Sequence, residues 1–146
     1  MVEIERKPAL VGWRLLAMLY DFFPLLALWF IAAGVFTAAH GDEVRGGLLG
    51  WIEFAVLWLL GGVYAVLSWR RGGQTLGMRP WRLRVVDAQG ASAGARALWL
   101  RYAVGGVSLL LAGLGFWWAW IDRDRLTWHD RISKTRMIRE QAQPAS

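Results

Sequence analysis

The sequence predicts an all-α membrane protein: an antiparallel transmembrane helix hairpin, a third helical segment that is broken or re-entrant, and a small cytoplasmic two-stranded β element. Three observations predict it. Two apolar runs, at about 10–39 and 48–69, are each long enough to cross a hydrocarbon layer of about 30 Å. A third apolar segment, at about 97–121, is interrupted by glycine clusters. The basic residues gather in the loop 70–96 and the tail 122–146, whereas the loop 40–47 holds Arg45 alone of the Lys and Arg residues.

Composition points the same way. The 146 residues suit a single domain, 1–146, and 56% of them are hydrophobic. A mean hydropathy of +0.32 is high for a soluble domain. The 11 tryptophans suit a chain with many bilayer interfaces. Cysteine is absent, which excludes disulfides and thiolate metal sites. His40 and His129 are the only imidazoles and lie far apart in the chain, so neither a metal site nor a cofactor is expected. The net charge of +6 raises nucleic acid as a partner. No nucleic-acid motif accompanies it, and the basic residues flank apolar runs, where they orient the chain and meet anionic lipid. The expected partner is therefore the bilayer and not nucleic acid.

The first run carries Arg14 near its start and Asp21 further in. It is too long for a cleaved signal peptide, and Arg14 would interrupt one, so it reads as a retained anchor. A charge in hydrocarbon costs about 3 kcal/mol or more, so both residues need partners. They lie seven residues apart, on one helix face and about 10 Å apart along the axis. Pro24 has no N–H to give to the Tyr20 carbonyl, which leaves that carbonyl free beside Asp21. Two readings of Asp21 stand: a buried ionic lock between helices, or a small site for a cation or proton.

The second run holds Glu53 near its loop end, at interfacial depth. The short 40–47 loop makes the pair a hairpin, with Gly34, Gly61 and Gly62 as candidate points of close approach. The charge bias puts the N-terminus and the 70–96 loop in the cytoplasm, in a bacterial-type inner membrane, and the 40–47 loop outside. Within the 70–96 loop, residues 81–87 alternate apolar and basic over their first five positions, as in a strand with one buried face. A lone strand is unstable, and the tail offers a partner at 135–139.

That pairing conflicts with a single third span, which would carry the basic tail across the membrane. Gly105-Gly106 and Gly113-Leu114-Gly115 are both places to break the helix. A broken or re-entrant segment buried against protein satisfies charge and pairing together. Arg101 at its start either supplies Asp21 with a counter-charge or snorkels to lipid phosphate. In the tail, Thr127 with Asp130 three residues later has the spacing of a capping box. His129 beside Asp130 invites a catalytic reading. Adjacent residues lack the geometry of a base and its orienter, and no nucleophile is marked, so no catalytic residues are assigned and an enzyme is not expected.

These pieces in this order resemble the RDD family of small membrane domains, over about 12–138. Arg14 and Asp21 resemble the family's arginine and first aspartate. Asp130, in Trp128-His129-Asp130-Arg131, is similar to the second aspartate. Gly73-Gln74-Thr75-Leu76-Gly77, followed by Leu83-Arg84-Val85-Val86-Asp87, is similar to the family's loop. One departure is Lys134 before Thr135, where the family usually has Gly-Thr. The resemblance implies transport of ions or other ligands, with sodium/proton exchange as one form, on Arg14, Asp21 and Asp130. Tyr20, Pro24, Gly73, Thr75, Gly77 and Arg101 would play supporting roles. Two helices and a broken third leave little room for a pathway, so transport would require a homo-oligomer. The alternative is a non-transporting membrane interaction or assembly module, in which the charges hold the fold and the basic face docks a partner or lipid.

Overall fold

A computed structural model describes residues 9–42 and 45–140. Helix α1 spans Val11–His40 and α2 spans Gly47–Gly72. At 30 and 26 residues they extend about 45 and 39 Å, more than enough to cross a bilayer. Pro24 lies inside α1, which continues past it to His40. Each helix ends on a left-handed glycine, Gly41 at φ 84° and Gly73 at φ 70°. None of the most apolar 18-residue stretch of α1 is buried, and 22% of that of α2 is. Phe23, Phe30, Ile31, Trp51 and Phe54 stand exposed along these helices. Such a surface is unsuited to water and suited to lipid.

A 3₁₀ turn, Arg79–Trp81, leads into strand β1, Leu83–Asp87. The strand therefore starts two residues later than the alternation suggests, because Arg82 takes a left-handed conformation at φ 55°. Leu83 and Val85 turn inward as expected, and Val86 is buried as well. The expected partner is present: β2, Thr135–Arg139, pairs antiparallel with β1, with Val85 opposite Met137 and Asp87 opposite Thr135.

The third apolar segment is bent, as the charge conflict required. Helix α3, Ala95–Leu110, and α4, Leu114–Ile121, meet at 98°. The break falls at the second glycine cluster, where Ala112 and Gly113 have φ of 55° and 75°. Helix α3 runs straight through Gly105-Gly106, correcting the first candidate break. One glycine pair lowers helix propensity by about 2 kcal/mol, which packing can offset. Here Gly106 lies against Trp58 of α2 and Gly105 faces His129.

The hairpin glycines also act differently from expectation. A Cβ at Gly34 would meet nothing within 4 Å. At Gly62 it would collide with the Trp99 ring and lie 2.9 Å from Tyr102, and at Gly61 it would lie 2.7 Å from the Tyr102 hydroxyl. Gly61 and Gly62 thus admit the aromatic rings of α3 and not the backbone of α1. Between α1 and α2, the Trp29 indole donates to the Leu57 carbonyl at 2.9 Å.

Helix α5, Trp128–Ser133, follows, and the Thr127–Asp130 capping box closes its start in both directions. The main core gathers at one end of the hairpin. Ala17, Val66, Met78, Leu83, Val85, Ala93 and Leu98 pack there beneath the sheet. The polar cap is thereby fastened where α1 begins and α2 ends.

Candidate functional site

Two charged clusters lie at that end of the hairpin. In the first, Asp130 is fully buried between two buried arginines from different helices. Arg14 of α1 donates from Nη2 to Asp130 Oδ2 at 2.7 Å and from Nη1 to Thr127 Oγ1 at 3.3 Å. Arg101 of α3 donates from Nη1 to Asp130 Oδ1, and also to Thr135 Oγ1 at 2.9 Å. Its guanidinium sits 5.5 Å from the Trp69 ring centroid, a cation–π contact with α2. The Thr127 N–H reaches Asp130 Oδ2 at 3.2 Å. One carboxylate thus ties α1, α3 and α5 together.

Burial alone would push the Asp130 pKa up, but Arg101 and Arg14 outweigh it and hold the carboxyl well below the usual range. The neighbouring His129 is buried and packs its ring 4.7 Å from that of Phe116. Burial lowers its pKa well below 6.5, and Arg101 lowers it further, so the imidazole is neutral. Two guanidiniums against one carboxylate leave the cluster with an excess positive charge. Among the described residues, Arg14 Nε, His129 Nδ1 and Ser108 Oγ are buried without hydrogen-bond partners.

The second cluster centres on Asp21. Its Oδ1 accepts from the Tyr64 hydroxyl at 2.7 Å and from the Gly77 N–H at 2.8 Å. Its Oδ2 accepts from the Thr75 hydroxyl. The Tyr64 oxygen in turn accepts the Leu76 N–H at 3.2 Å. The carboxylate therefore clamps the loop that follows α2 onto α1. Gly77 is required by contact: a Cβ there would collide with the Ala17 carbonyl and lie 2.7 Å from the Asp21 nitrogen. Gly73 serves the same loop, since its left-handed turn lets its carbonyl accept the Val85 N–H at 2.8 Å.

Arg14 and Asp130 therefore meet, and Asp21 stands apart from them with Thr75 and Gly77. Arg101 is buried and pairs with Asp130, which corrects both expectations for it, the counter-charge to Asp21 and the reach to lipid phosphate. Its position on α3 faces α5, and the Tyr64 hydroxyl of α2, with the Thr75 hydroxyl and Gly77 amide of the loop, already fills the Asp21 oxygens. Tyr20 is half exposed and sets its ring edge-on to Trp81 at 5.7 Å. Its carbonyl is not a partner of Asp21, because both are acceptors. Sequence reasoning passes over Tyr64, which sits beside Val63, Ala65 and Val66 in an almost uniformly apolar run. A polar hydroxyl at that depth is the one signal that could have marked it. Thr135 and Trp69 likewise carry no signal until the tail and α2 are folded against Arg101.

Lys134 ends α5 in a left-handed conformation, φ 54° and ψ 37°. Glycine adopts that conformation without cost. The turn into β2 is kept, and the lysine bears the strain.

No curated protein and no solved structure shows significant similarity to the chain. The model of the RDD family matches residues 8–134. The match takes in both charged clusters and most of the 146 residues, and the chain belongs to the RDD family.

Proposed function

We propose that the protein is a non-transporting membrane interaction and assembly module of a bacterial-type inner membrane. Its N-terminus and polar cap face the cytoplasm, and lipid and further copies of the chain cover the apolar helices. The observation that carries this reading is that the carboxylates of both clusters are partnered by groups of the same chain. Asp130 is shared by Arg14 and Arg101, and Asp21 accepts three donors from its own chain. Groups engaged in this way hold the cap on the hairpin. The reading is non-enzymatic.

A second reading, cation or proton exchange by an oligomer, is favoured by one feature of the Asp21 cluster. Two carboxylate oxygens meet the hydroxyl oxygens of Tyr64 and Thr75. Hydroxyls can turn to present lone pairs, and oxygen sets of this kind suit hard cations.

Reconstituted vesicles with an internal pH dye separate the two. The module reading expects no sodium-dependent pH change above leak, and lower yield of folded protein for Asp21→Asn. Flux in the wild type that Asp21→Asn abolishes, while that variant stays folded, refutes the module and selects exchange.

A further inference from the structure

The end of α2 carries a feature that neither charged cluster uses. An open groove of ≈ 430 Å³ lies between the last turns of α2, the loop after it and β1. Arg71, Arg79 and Arg84 line it from these three elements, and Gln74, Leu67 and Leu76 also line it. Among the described residues, Arg84 pairs with Glu140 at 2.9 Å and the side chains of Arg71 and Arg79 have no acidic partner. The Arg84–Glu140 pair is exposed at both ends, 44% and 42%, so an incoming anion can exchange with it.

We propose that this groove binds the phosphate of an anionic membrane lipid. Arginines on three elements lining one groove suit a phosphate, whose oxygens accept paired N–H donors. The lipid source follows from the two leucines. Leu67 and Leu76 are 46% and 51% exposed, and a free phosphate would leave them uncovered where a lipid's glycerol and first methylenes would cover them. The groove also sits at the end of an apolar helix, at the depth of headgroups if α2 crosses the membrane. The inference rests on the membrane insertion proposed above.

The full chain, purified in mild detergent, tests this by native mass spectrometry with phosphatidylglycerol and phosphatidylcholine in equal amounts. The wild type should retain phosphatidylglycerol preferentially. R71Q/R79Q should weaken retention, about fivefold for each arginine removed. R123Q, which removes an exposed charge outside the groove, should leave it unchanged. Tryptophan fluorescence checks that R71Q/R79Q is folded, and the single variant R79Q gives the same test with a smaller perturbation. Equal retention of the two lipids, an equal loss in R123Q, or retention intact in both R79Q and R71Q/R79Q overturns the site. Displacement of the lipid by millimolar inorganic phosphate overturns the lipid assignment. Failure of insertion is read separately, as a chain that alkaline washing strips from membranes.

Discussion

Replacing Asp130 by Asn removes one charge and almost no volume, so its effect isolates the ionic lock. The side chain is fully buried, and its partners Arg14 and Arg101 are 3% and 2% exposed. Removing one member of a buried pair costs about 3–5 kcal/mol, because the remaining charge is left uncompensated. Asp130 serves two arginines at once, so the upper part of that range, about 5 kcal/mol, is expected. The amide also weakens the Thr127 capping box. Glu140→Gln gives the contrast: its pair with Arg84 is exposed, and about 1 kcal/mol or less is expected. Unfolding in mixed micelles, followed by the fluorescence of the 11 tryptophans, measures both. Replacing the whole triad, with Arg14→Met, Arg101→Met and Asp130→Leu, should recover most of the loss, since no buried charge remains. An Asp130→Asn variant within about 1 kcal/mol of the wild type would refute the lock.

Lys134→Gly should stabilise the fold by about 1 kcal/mol, because it relieves a left-handed lysine, and the same unfolding curves read it. Gly62→Ala should destabilise by about 1–3 kcal/mol through collision with the rings of Trp99 and Tyr102, while Gly34→Ala, facing open space, should stay within about 0.5 kcal/mol. Acid should weaken the fold through His129. Its folded pKa lies below the unfolded value of 6.5, so the unfolded chain takes up the proton first and stability falls as pH drops below 6.5. Held neutral by burial, Arg101 and Arg14, with Asp130 opposing, it should cost about 2 kcal/mol at pH 5, and His129→Phe should remove that slope. Asp130 adds little in this window: its contribution falls only as pH drops towards 3.8, where the unfolded carboxyl takes up its proton, and goes on falling down to its depressed folded pKa.

What can be read from the chain is what local pattern encodes. The two apolar runs mark α1 and α2. Alternation marks β1, the tail's residue types mark its partner, and the spacing of Thr127 and Asp130 marks the capping box. The bend in the third segment follows from the conflict between a single span and a basic tail. Partner choice is less legible. In a helix that is apolar all round, lipid-facing and core-facing residues look alike, so periodicity does not give its rotation. That is why the pattern offers Arg101 to Asp21, assigns Gly61 and Gly62 to α1, and passes over Tyr64. Gly105-Gly106 stays helical beside Trp58 of α2 and His129 of α5, a tertiary setting that propensity alone does not register.

The most direct measurement is the side of the membrane on which the tail lies. Asp130 can meet Arg14, and β2 can pair with β1, only if the bent segment returns the tail to the face that holds the loop between α2 and α3. A dual reporter active on opposite sides of the membrane, fused after Ser146 and separately inserted at Gly41, reads this in intact cells. The tail fusion should report cytoplasm and the Gly41 insertion the outside. A tail that reports outside would mean that the third segment crosses, and the ionic lock could not form.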